Sequence, residues 1–385
     1  MIIYWSMIFW TFFIYIIYSL SHQYEISLIN GELKEGIQKK IPLIYALLVF
    51  GYFIYWASVR HYVADTTAYV SSFDNYSTNF SEEFSKLNWD PWSSEGKGVL
   101  FYFYTLFFKC FISDNYTLWL SSIAIFSGLC VMITLRKYTS GTDFFLASFL
   151  FIAFLCYYYM LNGTRQFICV AVAFLCCDFI KNKKIIKYLI MVAILVFIHS
   201  TAIFLVPIYF VANFRPWSKM MWLFIFAMIA IAVFAEPFFN TVDEFAQGTS
   251  YENDISTYFS EDDGVNPLRV LFYAFPPLLT FIKRKELITY YEKLPMLPIS
   301  INLSVFTAAI YLVGMVTSGI FIGRLPIYSE LYNMILIPIL LRLCFKDNSR
   351  RFIYFGYIAI LLLYYYLTGP DVYHSDYFGT FLRFI

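Results

Sequence analysis

Four arginines stand where an apolar run of the sequence begins or ends, and this residue type can bind a phosphate anion. They are Arg60, Arg165, Arg269 and Arg324. A guanidinium group carries a permanent charge and a planar fork of N–H donors that matches two phosphate oxygens. Arg165 follows an Asn-Gly turn and opens an apolar run, so a helix N-terminus would add partial positive charge beside it. The set therefore predicts a phosphate-binding site, although arginines at such positions can also reach lipid headgroups.

Two carboxylates near these arginines could take a proton from a substrate hydroxyl. Asp65 closely follows Arg60, and Glu95 shortly precedes the apolar run that begins at Val99. A hydroxyl that attacks a glycosidic carbon needs a general base of this kind. The alternative for Asp65 is a salt bridge with Arg60, and the alternative for Glu95 is a helix-capping role.

One histidine and two tyrosines complete the set of candidate residues. His199 lies within the apolar segment Val196–Ala202, where a histidine is either a packed, hydrogen-bonded residue or a functional one. Tyr69 follows Asp65 at helical spacing, so His61, Asp65 and Tyr69 would share one face if this segment is helical. Tyr328 stands one helical turn after Arg324 and could contact the same ligand.

The sequence predicts neither a metal site nor a cofactor. Its seven cysteines lie in or beside apolar runs and lack the spacing of a zinc site, so we interpret them as small apolar residues. The acidic run Glu261–Asp263 could hold a divalent cation, but a solvated acidic loop is the favoured interpretation.

The elements that position these residues must lie in a membrane. The chain has 385 residues, of which 60% are apolar, 22% are aromatic and 14% are charged, and its formal net charge is +1. Soluble proteins contain roughly 45–50% apolar and about 25% charged residues. This composition excludes a cytosolic enzyme, a disordered chain and a nucleic-acid binder that depends on positive charge. The lipid bilayer is therefore an expected partner.

Ten uncharged apolar runs are candidates for crossing the bilayer, which takes about 20 residues of helix. They are Ile2–Ser21, Ile41–Val59, Tyr116–Leu135, Phe144–Leu161, Gln166–Cys177, Trp222–Ala235, Val270–Ile282, Ile299–Ile322, Leu325–Leu341 and Phe352–Leu367. Two further stretches fit less well. Val99–Ile112 is short and contains Lys109, whereas Leu189–Phe214 is too long for one crossing and too short for two.

The distribution of basic residues orients these runs, because cytoplasmic loops are enriched in lysine and arginine. We assign six clusters to the cytoplasm: Lys34/Lys39/Lys40, Arg136/Lys137, Lys181/Lys183/Lys184/Lys187, Arg215/Lys219, Lys283/Arg284/Lys285/Lys293 and Arg342/Lys346/Arg350/Arg351. The segment Pro237–Pro267 has seven acidic residues and no basic one, which places it outside. If successive spans alternate in direction across the membrane, Val99–Ile112 must be a half-helix that enters the membrane from the outside and does not cross it. The same alternation requires Leu189–Phe214 to be a re-entrant hairpin from the cytoplasm, with His199-Ser200-Thr201 at its tip.

The predicted fold is an all-α polytopic membrane protein with about ten transmembrane helices plus these re-entrant or half helices. Residues 1–385 form a single integral membrane domain with outer loops 60–97 and 237–267 and no soluble domain. Arg60, Arg165, Arg269 and Arg324 all fall at the outer ends of spans in this topology. Since a lipid-facing arginine is costly, we expect these residues to line one vestibule on the outer side.

The order and spacing of several motifs resemble the EpsG family, which comprises exopolysaccharide and O-antigen polymerases of the Wzy type. The resemblance covers roughly residues 55–345. Its motifs are Arg60…Asp65-Thr66…Tyr69, Glu95-Gly96, Tyr158-Tyr159-Met160-x-Asn162-Gly163-Thr164-Arg165-Gln166, His199-Ser200-x-Ala202 with Pro207-x-Tyr209, and Gly323-Arg324-x-x-x-Tyr328. One departure is Gly96-Lys97, where the family often has Pro-Gly after the glutamate.

The resemblance implies a metal-independent glycosyltransferase of the bacterial inner membrane, with a GT-C-like architecture and an active site facing the periplasm. Such an enzyme transfers a glycan from a polyprenyl-pyrophosphate donor to the non-reducing end of a fresh lipid-linked repeat unit. The four arginines would stabilise the pyrophosphate, Asp65 or Glu95 would activate the acceptor, and His199 would orient the donor or act as an alternative base. The expected partners are the lipid-linked oligosaccharide, the bilayer and a chain-length regulator protein. Binding of nucleic acid is not expected.

Two other functions remain open on the same residues. A glycan ligase of the O-antigen type would use the same donor and arginines with a different acceptor, but typically has a larger outer loop. A non-enzymatic flippase or other transporter would need a polar path across the membrane midplane. The predicted topology gathers the intramembrane charges at the outer side, which favours the polymerase.

Overall fold

The computed structural model describes residues 2–21, 40–60, 63, 65–93, 96–245, 264–319, 322–345 and 347–372, and the regular secondary structure within these ranges is helical. The helices are α1 (Ile2–Ser21), α2 (Leu43–Ser58), α3 (Thr66–Asn75), α4 (Phe80–Ser85), α5 (Val99–Phe111), α6 (Tyr116–Tyr138), α7 (Gly141–Ala153), α8 (Cys156–Leu161), α9 (Thr164–Leu175), α10 (Asp178–Lys181), α11 (Ile185–Val196), α12 (Leu205–Ala212), α13 (Lys219–Val233), α14 (Ala235–Phe245), α15 (Pro267–Ile282), α16 (Arg284–Leu287), α17 (Met296–Met315), α18 (Ile327–Glu330), α19 (Tyr332–Leu343) and α20 (Asp347–Val372). Short 3₁₀ helices cover Ser200–Phe204, Ile288–Tyr290 and Ile322–Arg324.

The chain divides into two compact units. Unit 1 comprises Met1–Ser85, Tyr104–Leu175 and Ile337–Ile385, and unit 2 comprises Lys86–Phe103 and Cys176–Leu336. Arg60, Asp65 and Arg165 belong to unit 1, whereas His199, Arg269, Arg324 and Tyr328 belong to unit 2.

Several helices have the length and composition of membrane spans, as the sequence predicts for a membrane protein. Within the described ranges, α1, α6, α17 and residues Ser349–Gly369 of α20 are long and apolar enough to cross a bilayer. A fifth candidate is the pair formed by α13 and the start of α14, which meet at an angle of 95°. The other predicted runs coincide with apolar helices of 10–17 residues, so the count of ten full crossings is not confirmed.

One predicted run is interrupted inside unit 1. The apolar segment Phe144–Leu161 forms two helices, because Leu155 adopts a left-handed backbone conformation with φ 64°. This conformation costs a non-glycine residue about 1–2 kcal/mol, and the fully buried Leu155 side chain offsets that cost by packing. The break redirects α8, whose Tyr157 hydroxyl then donates a hydrogen bond to the carbonyl oxygen of Phe53 on α2 at 2.9 Å.

The segment around His199 folds as a helical hairpin in unit 2. Helix α11 ends at Val196, His199 has extended backbone angles, and α12 begins at Leu205. The Tyr188 hydroxyl at the start of α11 donates to the carbonyl oxygen of Leu205 at 3.0 Å. The Tyr188 ring also lies 5.0 Å from the ring of Tyr209 on α12. The second arm therefore folds back along the first, with its turn at the predicted tip.

Polar side chains line one face of the otherwise apolar helix α17, and each of three pairs with the segment 329–333. Ser304 donates to Asn333 at 2.6 Å, and the hydroxyls of Thr307 and Ser329 are 2.7 Å apart. Tyr311, one turn further along, donates to the carboxylate of Glu330. Because polar groups buried in apolar surroundings are costly unless paired, these contacts fix both the register and the rotation of α17 against α18 and α19.

Candidate active site

Arg60 is buried in unit 1, where its guanidinium group connects three helices. It is 1% exposed and donates to Thr66 Oγ1 at 3.0 Å through Nε, and to the carbonyl oxygen of Ala57 at 2.5 Å. A third bond, at 3.3 Å, reaches Thr164 Oγ1 in the first turn of α9. The Arg60 side chain thereby ties the end of α2 to the starts of α3 and α9.

Asp65 contacts the same turn that precedes α9. Its Oδ2 atom accepts a hydrogen bond from the backbone N–H of Gly163 at 3.3 Å. Gly163 has φ 73°, a conformation that glycine adopts without the steric cost of a side chain. The predicted Asn-Gly turn is thus present, and it places the N-terminal end of α9 against a carboxylate.

The first site cluster consists of Arg60, Asp65, Gly163, Thr164 and Arg165. Arg165 is the second residue of α9, is half-buried, and directly follows the threonine that Arg60 contacts. A carboxylate and the turn before a helix N-terminus are therefore in contact, and Arg165 follows in the first turn of that helix. The alternative salt bridge between Asp65 and Arg60 is not favoured. Asp65 accepts from the N–H of Gly163, and Arg60 donates to oxygen atoms of Ala57, Thr66 and Thr164.

Tyr69 lies beside this cluster, one helical turn after Asp65. Its backbone N–H donates to the carbonyl oxygen of Asp65 at 3.1 Å. Helix α3 begins only at Thr66, so Asp65 is its N-cap and not a residue on its face. The predicted face that Asp65 shares with His61 stays a prediction, because His61 lies outside the described residues.

Unit 2 contains a second group of predicted residues, which hydrogen bonds connect at the hairpin tip. His199 Nδ1 lies 2.7 Å from Thr201 Oγ1, and this oxygen lies 3.0 Å from the hydroxyl of Tyr328. A hydrogen bond at Nδ1 determines which ring nitrogen carries the proton of a neutral histidine. The row of a histidine and two hydroxyls can also pass a proton along hydrogen bonds.

Arg269 and Arg324 follow two chain segments that are anchored to each other. The backbone N–H of Val265 donates to the carbonyl oxygen of Gly314 at 2.9 Å, four residues before Arg269. The Val265 side chain packs against Gly323, where a Cβ atom would lie 2.6 Å from Val265 Cγ2. Arg324 directly follows this glycine. The second site cluster therefore comprises His199, Thr201, Tyr328, Arg269 and Arg324.

Tyr311 and Glu330 are residues of this site that sequence reasoning missed. The guanidinium carbon of Arg269 lies 5.8 Å from the centroid of the Tyr311 ring, and the Tyr311 hydroxyl donates to Glu330. Glu330 is a lone carboxylate within an apolar stretch, which by itself indicates a constrained role. That signal could have identified Glu330, whereas no sequence pattern identifies Tyr311.

The end of the predicted outer loop 60–97 forms a tight turn before α5. The N–H of Gly96 donates to Ser93 Oγ at 3.0 Å. A Cβ atom at Gly96 would collide with the carbonyl oxygen of Asp90, so the turn requires glycine at the position where the sequence departs from the family pattern. The backbone N–H of Leu100 in α5 then donates to the carbonyl oxygen of Phe197 at 2.9 Å, beside the hairpin tip. Glu95 itself lies outside the described residues.

A metal site is not apparent in the part of the chain that the structure describes. No three or more histidine, cysteine, aspartate or glutamate side chains there are grouped so that they could hold a metal ion. The acidic run Glu261–Asp263 lies outside that part.

Comparison with known proteins gives one match, to the model of the EpsG family, over residues 43–380. No curated protein and no solved structure matches the chain significantly.

The packing of Val265 on Gly323 leads to a prediction for Gly323→Ala. The added methyl group would force Val265 to shift, so we expect a loss of about 1–3 kcal/mol in the free energy of unfolding. The measurement is the thermal unfolding midpoint of the purified protein in detergent. Val265→Ala in the same protein should restore much of the loss.

Gly356→Ala is the matched control for this substitution. Gly356 lies within α20, and a Cβ atom there would have no neighbour within 4 Å. Alanine is the better helix former by up to about 1 kcal/mol, so this variant should be as stable as the parent or more so. Equal midpoints for Gly323→Ala and the parent would show that the contact between Val265 and Gly323 is not tight.

Proposed function

Since the chain belongs to the EpsG family, we propose that it polymerises polyprenyl-pyrophosphate-linked oligosaccharides as a membrane glycosyltransferase. The observation that carries the proposal is the first site cluster, in which the Asp65 carboxylate accepts a hydrogen bond from Gly163 in the turn before α9, the helix whose first turn contains Arg165. A cation for the leaving phosphate and a base for the attacking hydroxyl are the two groups that glycosyl transfer requires.

The arginines would stabilise the leaving pyrophosphate. Negative charge builds up on the phosphate oxygen as the glycosidic bond breaks, and donors fixed in advance lower the free energy of that state. Arg165, Arg269 and Arg324 are only partly buried. Arg60 is buried, and its contribution would be to hold Thr164 and the start of α9 in place for Arg165.

A carboxylate would activate the acceptor. The acceptor hydroxyl oxygen forms a bond to the anomeric carbon of the donor sugar while the bond from that carbon to the pyrophosphate oxygen breaks. The hydroxyl proton passes to Asp65 or Glu95, and the electron pair of the broken bond remains on the pyrophosphate. His199, held by Thr201 and Tyr328, would orient the donor or act as an alternative base.

Aromatic side chains near the first outer loop would bind the sugars. Tyr69 follows Asp65, and the exposed rings of Trp89 and Trp92 precede the turn at Gly96. Sugar rings pack against aromatic faces because the CH groups of a sugar are weakly apolar. The family membership and the predicted topology favour the outer leaflet of the bacterial inner membrane as the place of reaction, with a chain-length regulator as a further partner.

A reaction with a single lipid-linked substrate separates the three candidate functions. Purified protein mixed only with lipid-linked repeat units should produce a ladder of longer chains on gels. A ligase would need a different acceptor, and a transporter would leave the units unchanged. Unextended units after prolonged incubation with active, folded protein would rule out the polymerase.

Arg165→Lys tests the proposed contact with pyrophosphate. Lysine keeps the charge but loses the planar fork of donors, so we expect the rate of chain extension to fall by about 10- to 100-fold. The control is Arg284→Lys, since Arg284 is exposed, bonds to the carbonyl oxygen of Phe281 and belongs to neither site cluster. A normal rate in Arg165→Lys would remove Arg165 from the pyrophosphate site.

Asp65→Asn separates catalysis from structure at this carboxylate. An amide oxygen can still accept the hydrogen bond from Gly163, so the thermal midpoint should stay near that of the parent. An amide is not a base, so turnover should fall by about 10²–10⁴-fold if Asp65 takes the proton. Glu95→Gln provides the comparison: the two losses should differ sharply, and full turnover in both variants would show that neither carboxylate is the base.

A further inference from the structure

Glu330 is a buried carboxylate in unit 2 that the proposed chemistry does not use directly. It ends the short helix α18 and is 0% exposed. A charged side chain at such a place costs several kcal/mol unless hydrogen bonds and a nearby opposite charge compensate it. The surroundings of Glu330 therefore indicate what this carboxylate stabilises.

The neighbouring aromatic ring links Glu330 to Arg269. Tyr311 on α17 donates its hydroxyl proton to the Glu330 carboxylate, and the Tyr311 ring is itself 0% exposed. Arg269 lies over this ring, with 5.8 Å between its guanidinium carbon and the ring centroid. The ring of Tyr273, one turn after Arg269 on α15, lies 4.8 Å from the same ring. One face of α15 thus packs on Tyr311 through two residues.

This arrangement places a negative side chain at the hydroxyl of one phenol and a positive side chain over its ring. A phenol that donates to a carboxylate gains electron density in its ring, and a richer ring attracts a cation more strongly. Both interactions are stronger in surroundings that exclude water. A cation–π contact holds the guanidinium through its charge and does not itself use the fork of N–H donors that binds phosphate.

Helix α18, which contains Glu330, also contacts the hairpin tip. Tyr328 bonds to Thr201 beside His199, and Ser329 bonds to Thr307 on α17. Glu330 is the third consecutive side chain of α18 with a fixed partner. Helix α18 therefore orients groups toward two different predicted site residues, His199 and Arg269.

We propose that Glu330 is a positioning residue that, through the phenol of Tyr311, fixes the guanidinium of Arg269 for binding the pyrophosphate of the substrate. The inference rests on the proposed function in one respect: the pyrophosphate as the ligand of Arg269 comes from that proposal. The contact of Glu330 with Tyr311 and that of Tyr311 with Arg269 are independent of the reaction.

A double-mutant cycle tests this inference. Glu330→Gln keeps an acceptor for the phenol but removes the charge, and it is made with Arg269 present and in Arg269→Ala. We expect Glu330→Gln to lower kcat/KM for the lipid-linked donor about tenfold when Arg269 is present and less than twofold in Arg269→Ala. Tyr311→Phe, which keeps the ring but removes the hydroxyl, should lower kcat/KM to a similar degree and add little to Glu330→Gln.

Ser329→Ala is the matched control, because Ser329 is the adjacent buried residue and bonds to Thr307 of the same helix. Its effect on kcat/KM should be the same with and without Arg269. Equal losses for Glu330→Gln in both backgrounds would mean that Glu330 only supports the fold, and would overturn the inference.

A second measurement keeps the inference testable if the proposed function fails. Should the parent protein extend no chains, the same four proteins are compared by thermal unfolding in detergent. Glu330→Gln should then lower the midpoint more when Arg269 is present than in Arg269→Ala. Equal shifts would overturn the link between Glu330 and Arg269 itself, whereas absent chain extension alone would overturn only the proposed function.

Discussion

A guanidinium group that is shielded from water needs oxygen atoms of the protein around it, and Arg60 has three. Its bonds to Ala57, Thr66 and Thr164 join the end of α2 to the starts of α3 and α9. Bonds of a charged group to neutral oxygens are each worth about 1.5–3 kcal/mol, so the loop that carries Asp65 is held firmly against the turn before Arg165. The first site cluster depends on this one side chain.

Buried polar groups in unit 2 also need hydrogen-bond partners, but there the groups on α17 are neutral hydroxyls and amides. Helix α17 carries hydroxyl groups along one face, and their partners come from the segment 329–333. Asn302, on another face of α17, donates to the carbonyl oxygens of Ala212 and Phe214 at the end of the hairpin. Because these hydrogen bonds are directional, they tie the position of the hairpin and that of α18 to the position of α17.

The sequence predicts the helical elements well and their interruptions poorly. Absence of charge and a length near 20 residues mark α1 and α6 closely, and the Asn-Gly turn before Arg165 follows from residue type. The break at Leu155 has no such signal, because leucine normally favours a continuous helix and only tertiary packing of its side chain compensates the left-handed backbone. The number of crossings was therefore harder to predict than the class of fold.

The site residues divide in a similar way. Arg60, Arg165, His199 and Arg324 could be selected as candidates because charged and titratable groups are rare in apolar runs. The partners that orient them could not, since Thr164 is 104 positions away from Arg60 and Tyr311 is one aromatic residue among many. Such partners become recognisable only when the fold brings distant segments into contact.

The bonds of Arg60 also carry an evolutionary consequence. Thr66 Oγ1 accepts from Arg60 and donates to the carbonyl oxygen of Val63, so this hydroxyl serves two neighbours at once. Replacing Thr66 or Thr164 leaves Arg60 with a buried donor lacking that acceptor, and replacing Arg60 removes a donor from both threonines. Across descendants of this gene, the three positions should covary, with drift at one of them constrained by epistasis from the other two.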